Sequence, residues 1–273
     1  MNSPYPRTSV NFYLTWKCNF KCDHCMHECD INGADMTDEQ LLKAQEVVIK
    51  LANVNRVSVI GITGGEPMLH PDIKDIFEYL KYVNVASNRT IKFDLHTNGS
   101  VFPKNINPND YINLFDDIFI GNDIFHDKFR KNRKNQIKVN KLSKLGTMTI
   151  RNPIYSIEDK EVVVVKDKGR ATNLLQYSIP QMTNPTCMYA QNGGRGGPSI
   201  NFNPDNISFC CDASHLDPSY NSNIGYDASV DEIIEAAIKY RYTSCQDSCE
   251  HPCKLLGIDI YKYNKGIKNG ELY

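Results

Sequence analysis

Three apolar runs limit how this chain can fold. Val10 to Trp16, Val57 to Ile62 and Ile91 to Leu95 each read as a buried strand, and each hands over to a loop rich in reactive groups. The loops are Cys18-Asn-Phe-Lys-Cys22-Asp-His-Cys25, Thr63-Gly-Gly-Glu66-Pro67 and His96-Thr-Asn98-Gly99. Helical patterns lie between the strands. Thr37-Asp-Glu-Gln40 is a capping box, in which hydroxyl and amide satisfy each other's backbone donors. Leu41, Ala44, Val48 and Leu51 then share one face, and a second helix from Pro71 turns Ile73, Ile76, Phe77 and Leu80 inward. This β-α-β-α order argues a parallel sheet, with the reactive loops together at its C-terminal edge.

The alternation continues, then falters. A short helix ends at Tyr111 to Phe115, a fourth strand runs from Ile118 to Gly121, and a polar, basic helix spans Phe125 to Leu145. Thr147 to Arg151 reads as strand five and Val162 to Lys166 as strand six. Only about ten residues separate these two, whereas a parallel crossover takes a dozen or more. The fifth helix is therefore expected to be short or absent, and the barrel truncated.

The first loop places three thiols within eight residues, spaced C-x3-C-x2-C. Three thiolates can hold a [4Fe–4S] cluster while leaving one iron open to a ligand. The spacing also continues to Cys29, and four thiolates could close a structural zinc site instead.

Composition excludes several classes. A net charge of −1 offers no broad attraction for nucleic acid or an anionic membrane. No apolar run approaches the ~18 residues of a membrane span, and Met1-Asn-Ser-Pro-Tyr-Pro-Arg7 lacks a secretory apolar segment. Ten cysteines in such a chain read as metal ligands in a reducing, cytoplasmic setting.

Taken together, the cysteine loop, Gly64-Gly65-Glu66-Pro67 and the Asn98 loop resemble the radical S-adenosylmethionine (radical SAM) superfamily, over residues 8 to about 170. The resemblance implies a partial (β/α)6 barrel and assigns roles by position. Cys18, Cys22 and Cys25 would hold the cluster, whose open iron chelates S-adenosylmethionine. Gly64, Gly65 and Glu66 would offer acceptors to the methionine ammonium. His24 stands at the adenine-facing position, Asn98 near the ligand and Asp123 at the ribose. The family often has Ser where this chain has Gly121, so that side-chain contact is expected to be lost. Arg130, with Arg133 as its rival, suits the methionine carboxylate. Cys29 is read as a loop thiol, and His126 as positioning loop or substrate. Tyr155, Tyr177 and Tyr189 could line a substrate cavity.

Lys168-Gly-Arg-Ala171 resembles the subset of the superfamily with a C-terminal auxiliary-cluster domain, the SPASM type and its shorter twitch form. The remainder follows that layout. Cys187 precedes a hairpin of Ile200 to Phe202 and Ile207 to Phe209, which turns at Asn-Pro-Asp-Asn. Cys210-Cys211, a capping box at Ser229 to Glu232, a helix, and Cys245, Cys249 and Cys253 come next. The resemblance thus implies a radical SAM core over 8–171 and an auxiliary domain over 172–273. One auxiliary [4Fe–4S] cluster would take Cys187, Cys210 or Cys211, and two of Cys245, Cys249 and Cys253, with zinc as the alternative occupant.

The expected activity is reductive cleavage of S-adenosylmethionine, followed by hydrogen abstraction from a peptide or protein side chain. Dehydrogenation of a small-molecule alcohol, and a non-catalytic iron–sulfur or zinc protein, are the alternatives. Flavodoxin or ferredoxin would supply the electron. The first strand starts near residue 8, so a peptide substrate is expected to need a separate leader-binding protein or direct recognition.

Overall fold

The computed structural model describes residues 6–130, 133–151, 154–157, 160–166, 169–183, 198–209, 223–243 and 254–269. Five strands in chain order, β1 (Thr8–Tyr13), β2 (Val57–Thr63), β3 (Lys92–Thr97), β4 (Phe115–Gly121) and β5 (Gly146–Arg151), pair successively and in parallel. Helices α1 (Asp38–Asn53) and α2 (Ile73–Ala86) supply the crossovers that parallel pairing requires. Val10, Phe12, Ile60, Ile62, Phe93, Leu95, Ile118 and Ile120 are buried in one cluster with Val47, Val48, Leu51, Phe77 and Leu80 of those helices. The intervening strand positions, Tyr13, Thr63, His96 and Phe119, alternate to the opposite face and line a cavity there.

The capping box forms as read: Thr37 Oγ1 accepts from Gln40 N, and Gln40 Oε1 accepts from Thr37 N at 2.9 Å. The short helix before β4 is instead a 3-10 turn, Pro108–Asp110, with the Asn107 side chain accepting from Asn109 N. The basic helix is two helices, α3 (Ile124–Arg130) and α4 (Arg133–Leu142).

Strand six departs from expectation. β7 (Lys160–Lys166) joins no parallel sheet. It pairs antiparallel with β6 (Ile154–Ile157) on one side and β12 (Lys254–Asp259) on the other, and β12 in turn pairs with β8 (Ser178–Thr183). The residues after β5 are spent on a hairpin, which needs no crossover helix.

C-terminal residues extend the main sheet. β9 (Ser199–Phe202) runs parallel to β1 on its outer side, and β10 (Ile207–Ser208) and β11 (Asn223–Ile224) follow antiparallel. The order is β11-β10-β9-β1-β2-β3-β4-β5. Helix α5 (Val230–Thr243) places Ile233, Ile234 and Ala237 in the same buried cluster, and Asp231 pairs with Lys50 of α1. The boundary expected at 171/172 is thus bridged by backbone pairing. Helix α6 (Ile260–Lys268) packs with the second sheet. Among the described residues no helix is long and apolar enough to cross a membrane.

Candidate active site

The Gly64-Gly65 loop after β2 is fastened to the chain just before the first cysteine. Gly65 N donates to Thr15 O at 2.7 Å and Glu66 N to Lys17 O at 2.8 Å. A Cβ on Gly65 would stand 2.2 Å from Lys17 O, and Gly64 has φ +133 with Thr15 O 2.5 Å from its Cβ position. Close backbone packing against β1's extension therefore demands both glycines. Glu66 is completely buried. Its carboxylate accepts from Thr97 Oγ1 at 2.7 and 2.9 Å, Asn98 N at 2.8 Å and Met68 N at 3.1 Å. Burial pushes its carboxyl up to about 7 against the pull of these donors. Gly64 and Gly65 line the cavity, whereas Glu66 is not among its lining residues. Through these bonds the carboxylate ties the β2 loop to the end of β3.

Cys18, Cys22, Cys25 and Cys29 line one cavity of about 490 Å³ at the C-terminal ends of the parallel strands. Cys18 Sγ accepts from Phe20 N at 3.4 Å and Asn98 Nδ2 at 3.7 Å. Burial raises the Cys18 thiol to about 11, partly offset by those donors. The Cys29 thiol donates to His27 O at 3.9 Å, and its closeness to Cys25 lowers the Cys25 thiol and raises that of Cys29. Asn98 Nδ2 also reaches Asn19 Oδ1 at 3.0 Å, and Asn98 Oδ1 accepts from Ser100 N at 2.9 Å. Three soft donors in a cavity, one already accepting N–H···S bonds, form a set that fits an iron–sulfur cluster.

Arg170 crosses to this loop from a 3-10 segment, Gly169–Tyr177. Its Nε donates to Cys22 O at 2.9 Å, its Nη2 to Cys29 O at 2.9 Å, and its backbone N to Cys25 O at 3.0 Å.

Asp123 follows β4 and caps α3, with Oδ1 accepting from Phe125 N at 3.0 Å and His126 Nδ1 at 2.9 Å. Burial would raise its carboxyl, but the His126 contacts and nearby His24 outweigh it and hold Asp123 below the usual range. His24 stacks on Phe125, with centroids 4.6 Å apart, so that ring takes up one imidazole face. Burial lowers His24 to about 4, leaving it neutral near pH 7, and its Nδ1 is buried with no hydrogen-bond partner among the described residues. The His126 ring lies over Gly121, where a Cβ would come 2.7 Å from Cε1. The missing side chain at 121 is thus what gives His126 its place in the cavity wall.

Opposite, Phe119 carries the Arg151 guanidinium 3.9 Å above its ring and the His96 ring at 4.8 Å. Arg151 was not singled out from sequence, because a strand-ending arginine has no local signature. It lines the cavity, whereas the Arg130 and Arg133 side chains lie outside the described residues. Cys187, Cys210, Cys211, Cys245, Cys249, Cys253 and Tyr189 also lie outside them, as does the Tyr155 side chain. Tyr177 is buried against Tyr263, away from the cavity lining.

The family model described as the radical SAM superfamily matches residues 12–144. Residues 12–144, just under half of the chain, thus match a radical SAM domain. The chain is 30% identical to an S-adenosylmethionine-dependent nucleotide dehydratase of Selenomonas ruminantium over 163 residues, 56% of this chain and 56% of that protein. It is 36% identical to the GTP 3',8-cyclase of Helicobacter pylori over 102 residues, 37% of this chain and 29% of the cyclase. It thus spans little more than half of the first relative and under a third of the second. Among solved structures, BtrN in complex with AdoMet and 2-DOIA gives a TM-score of 0.50 at 12% identity, covering 91% of this chain and 90% of that one. AnSMEcpe with bound AdoMet gives 0.50 at 16% identity, covering 86% and 84%. The fold brings the three cysteines, Gly64, Gly65, His24, Asn98 and Asp123 around one cavity, which His126, Arg151 and Arg170 also line.

Proposed function

We propose that this chain cleaves S-adenosylmethionine reductively and abstracts a hydrogen atom from a peptide or protein side chain. The observation that carries the reading is the convergence of Cys18, Cys22, Cys25, Gly64, Gly65, Asn98 and Asp123 on one cavity. Cys18, Cys22 and Cys25 would hold a [4Fe–4S] cluster. Such a cluster would supply the one electron needed for reductive cleavage of a carbon–sulfur bond of S-adenosylmethionine, to methionine and a 5′-deoxyadenosyl radical.

The chain's own residues bind, orient and exclude water. Phe20 N and Asn98 Nδ2 direct hydrogen bonds at the Cys18 sulfur. The Gly64-Gly65 backbone offers carbonyl acceptors to an ammonium. Asp123, held below the usual carboxylate range chiefly by its His126 hydrogen bond, suits ribose hydroxyls. Arg151 stands where a carboxylate could pair with it, a role the sequence suggested for Arg130. Tyr13, Thr63, His96 and Phe119 form the wall against which a substrate side chain would lie.

A second reading, dehydrogenation of a small-molecule alcohol, draws support from the fold shared along nearly the whole chain with BtrN, whose structure holds AdoMet and 2-DOIA. Under either reading a flavodoxin or ferredoxin would be the electron donor, and under the first a separate leader-binding protein could present the peptide. An auxiliary cluster on Cys187, Cys210 or Cys211, and two of Cys245, Cys249 and Cys253 belongs to both.

The test is iron, sulfide and zinc per chain after anaerobic reconstitution, with deoxyadenosine assayed after addition of dithionite and S-adenosylmethionine. About eight irons with deoxyadenosine formed is the expected result, as two clusters require. About four irons with one zinc would remove the auxiliary cluster. Full iron without deoxyadenosine would return the chain to the non-catalytic alternative.

A further inference from the structure

We infer that Arg170 is a positioning residue for the cysteine loop, and that its charge sets how readily the centre held there accepts an electron. The inference rests on the reading of Cys18, Cys22 and Cys25 as cluster ligands. One residue satisfies three loop carbonyls, those of Cys22, Cys25 and Cys29, at 2.9 to 3.0 Å. The backbone bonds that the loop makes between these same residues are longer, although Cys18 N is fixed to Asp30 O at 2.7 Å. Cys25 N reaches Cys22 O at 3.1 Å, Glu28 N reaches Cys25 O only at 3.5 Å, and Glu28 sits at φ +53.

Arginine suits the task because its planar fork delivers two side-chain donors in fixed directions while its backbone serves a third carbonyl. Among the described residues no carboxylate lies within ion-pair distance of its guanidinium. The charge is therefore spent on carbonyl oxygens rather than neutralised. A cation in a half-buried site beside a cluster favours the state carrying one more electron, since Coulomb energy grows as local dielectric falls. Net charge and hydrogen bonding near the sulfurs are recognised determinants of cluster potential.

Arg170 is also held in place. Ala171, Leu174 and Tyr177 of its segment are buried with Phe20 and Cys22 of the loop and with Ile258, Ile260 and Tyr263 of β12 and α6. Tyr263 Oη donates to Asp23 Oδ2 in the loop itself. The second sheet therefore grips the cluster loop through one apolar core and presents the cation to it.

The experiment compares R170K with R170Q in the full, anaerobically reconstituted chain. Both keep donors near the carbonyls and they differ in charge. The reduction midpoint is followed by electron paramagnetic resonance, using the signal that changes on adding S-adenosylmethionine. The expected result is R170K within about threefold of the unaltered protein's reduction equilibrium. R170Q should lie at least about tenfold toward the oxidised form, which is about 59 mV for one electron. Equal midpoints for the two variants would overturn the inference. Loss of the signal from both would also overturn it, making Arg170 a structural support whose charge does not matter. An unaltered protein with no S-adenosylmethionine-responsive signal would instead refute the cluster reading, and this control is measured first.

Discussion

Glu66 is a fully buried carboxyl whose oxygens are supplied by one hydroxyl and two backbone amides. Thr97→Val keeps the shape and removes the hydroxyl donor. It should cost roughly 1–3 kcal/mol, read as a lowered urea midpoint at unchanged slope, with Thr97→Ser near the original value. The buried imidazoles make a pH prediction. His24 falls from an ordinary 6.5 to about 4 on folding, so between those values the unfolded chain binds more protons and stability drops as the pH falls. Glu66 and Asp94, raised to about 7 and 6, act in the opposite sense, losing stability as the pH rises. The test is therefore a difference. His24→Phe keeps an aromatic ring on Phe125 but removes the proton site. Its stability relative to the unaltered protein should improve progressively from pH 6.5 to pH 4. A difference that stays flat with pH would mean His24 is not held neutral.

At the scale of single elements, the turn after β4 shows what one missing Cβ permits. Gly121→Ser would place its Cβ 2.7 Å from His126 Cε1, so the ring must shift and its 2.9 Å bond to Asp123 is strained. S-adenosylmethionine affinity should fall about tenfold by calorimetry, which corresponds to about 1.4 kcal/mol. Adding His126→Ala should restore much of it, since the steric conflict is then gone. The elements themselves were largely legible. Both capping boxes form, with Ser229 N donating to Glu232 Oε2 at 2.8 Å in the second, because such signals are local in the chain. What was illegible depends on distant partners. The valine-rich run of β7 reads alike in a parallel or an antiparallel sheet, and its partner β12 lies about ninety residues on. Arg170 meets Cys22 across 148 positions, and no spacing rule reaches that far. Gly121 suggested a lost contact because His126, five residues later, gave no sign that it would turn back over it.

For the whole molecule, β9 makes the C-terminal part a component of the radical SAM domain's own sheet. Ile200 and Phe202 are fully buried beside β1, with Phe202 tilted against Phe12 at 5.9 Å. Phe202→Ala should therefore cost about 3–5 kcal/mol. A fragment ending at Arg151 should bind 8-anilinonaphthalene-1-sulfonate strongly and unfold without a sharp transition, as its edge strand and the face of α1 would lie bare. A cooperative transition in that fragment would show that β9 is dispensable. The pairing also bears on the order of events at the ribosome. The thiols of Cys18, Cys22 and Cys25 emerge early, yet the strand that leads into them lacks one neighbour until Phe202 has been made. At about 5–20 residues per second that interval lasts roughly 10 to 40 seconds. Throughout it three soft nucleophiles wait on an unfinished scaffold, and a cluster held by them would be loaded onto a finished site only after synthesis.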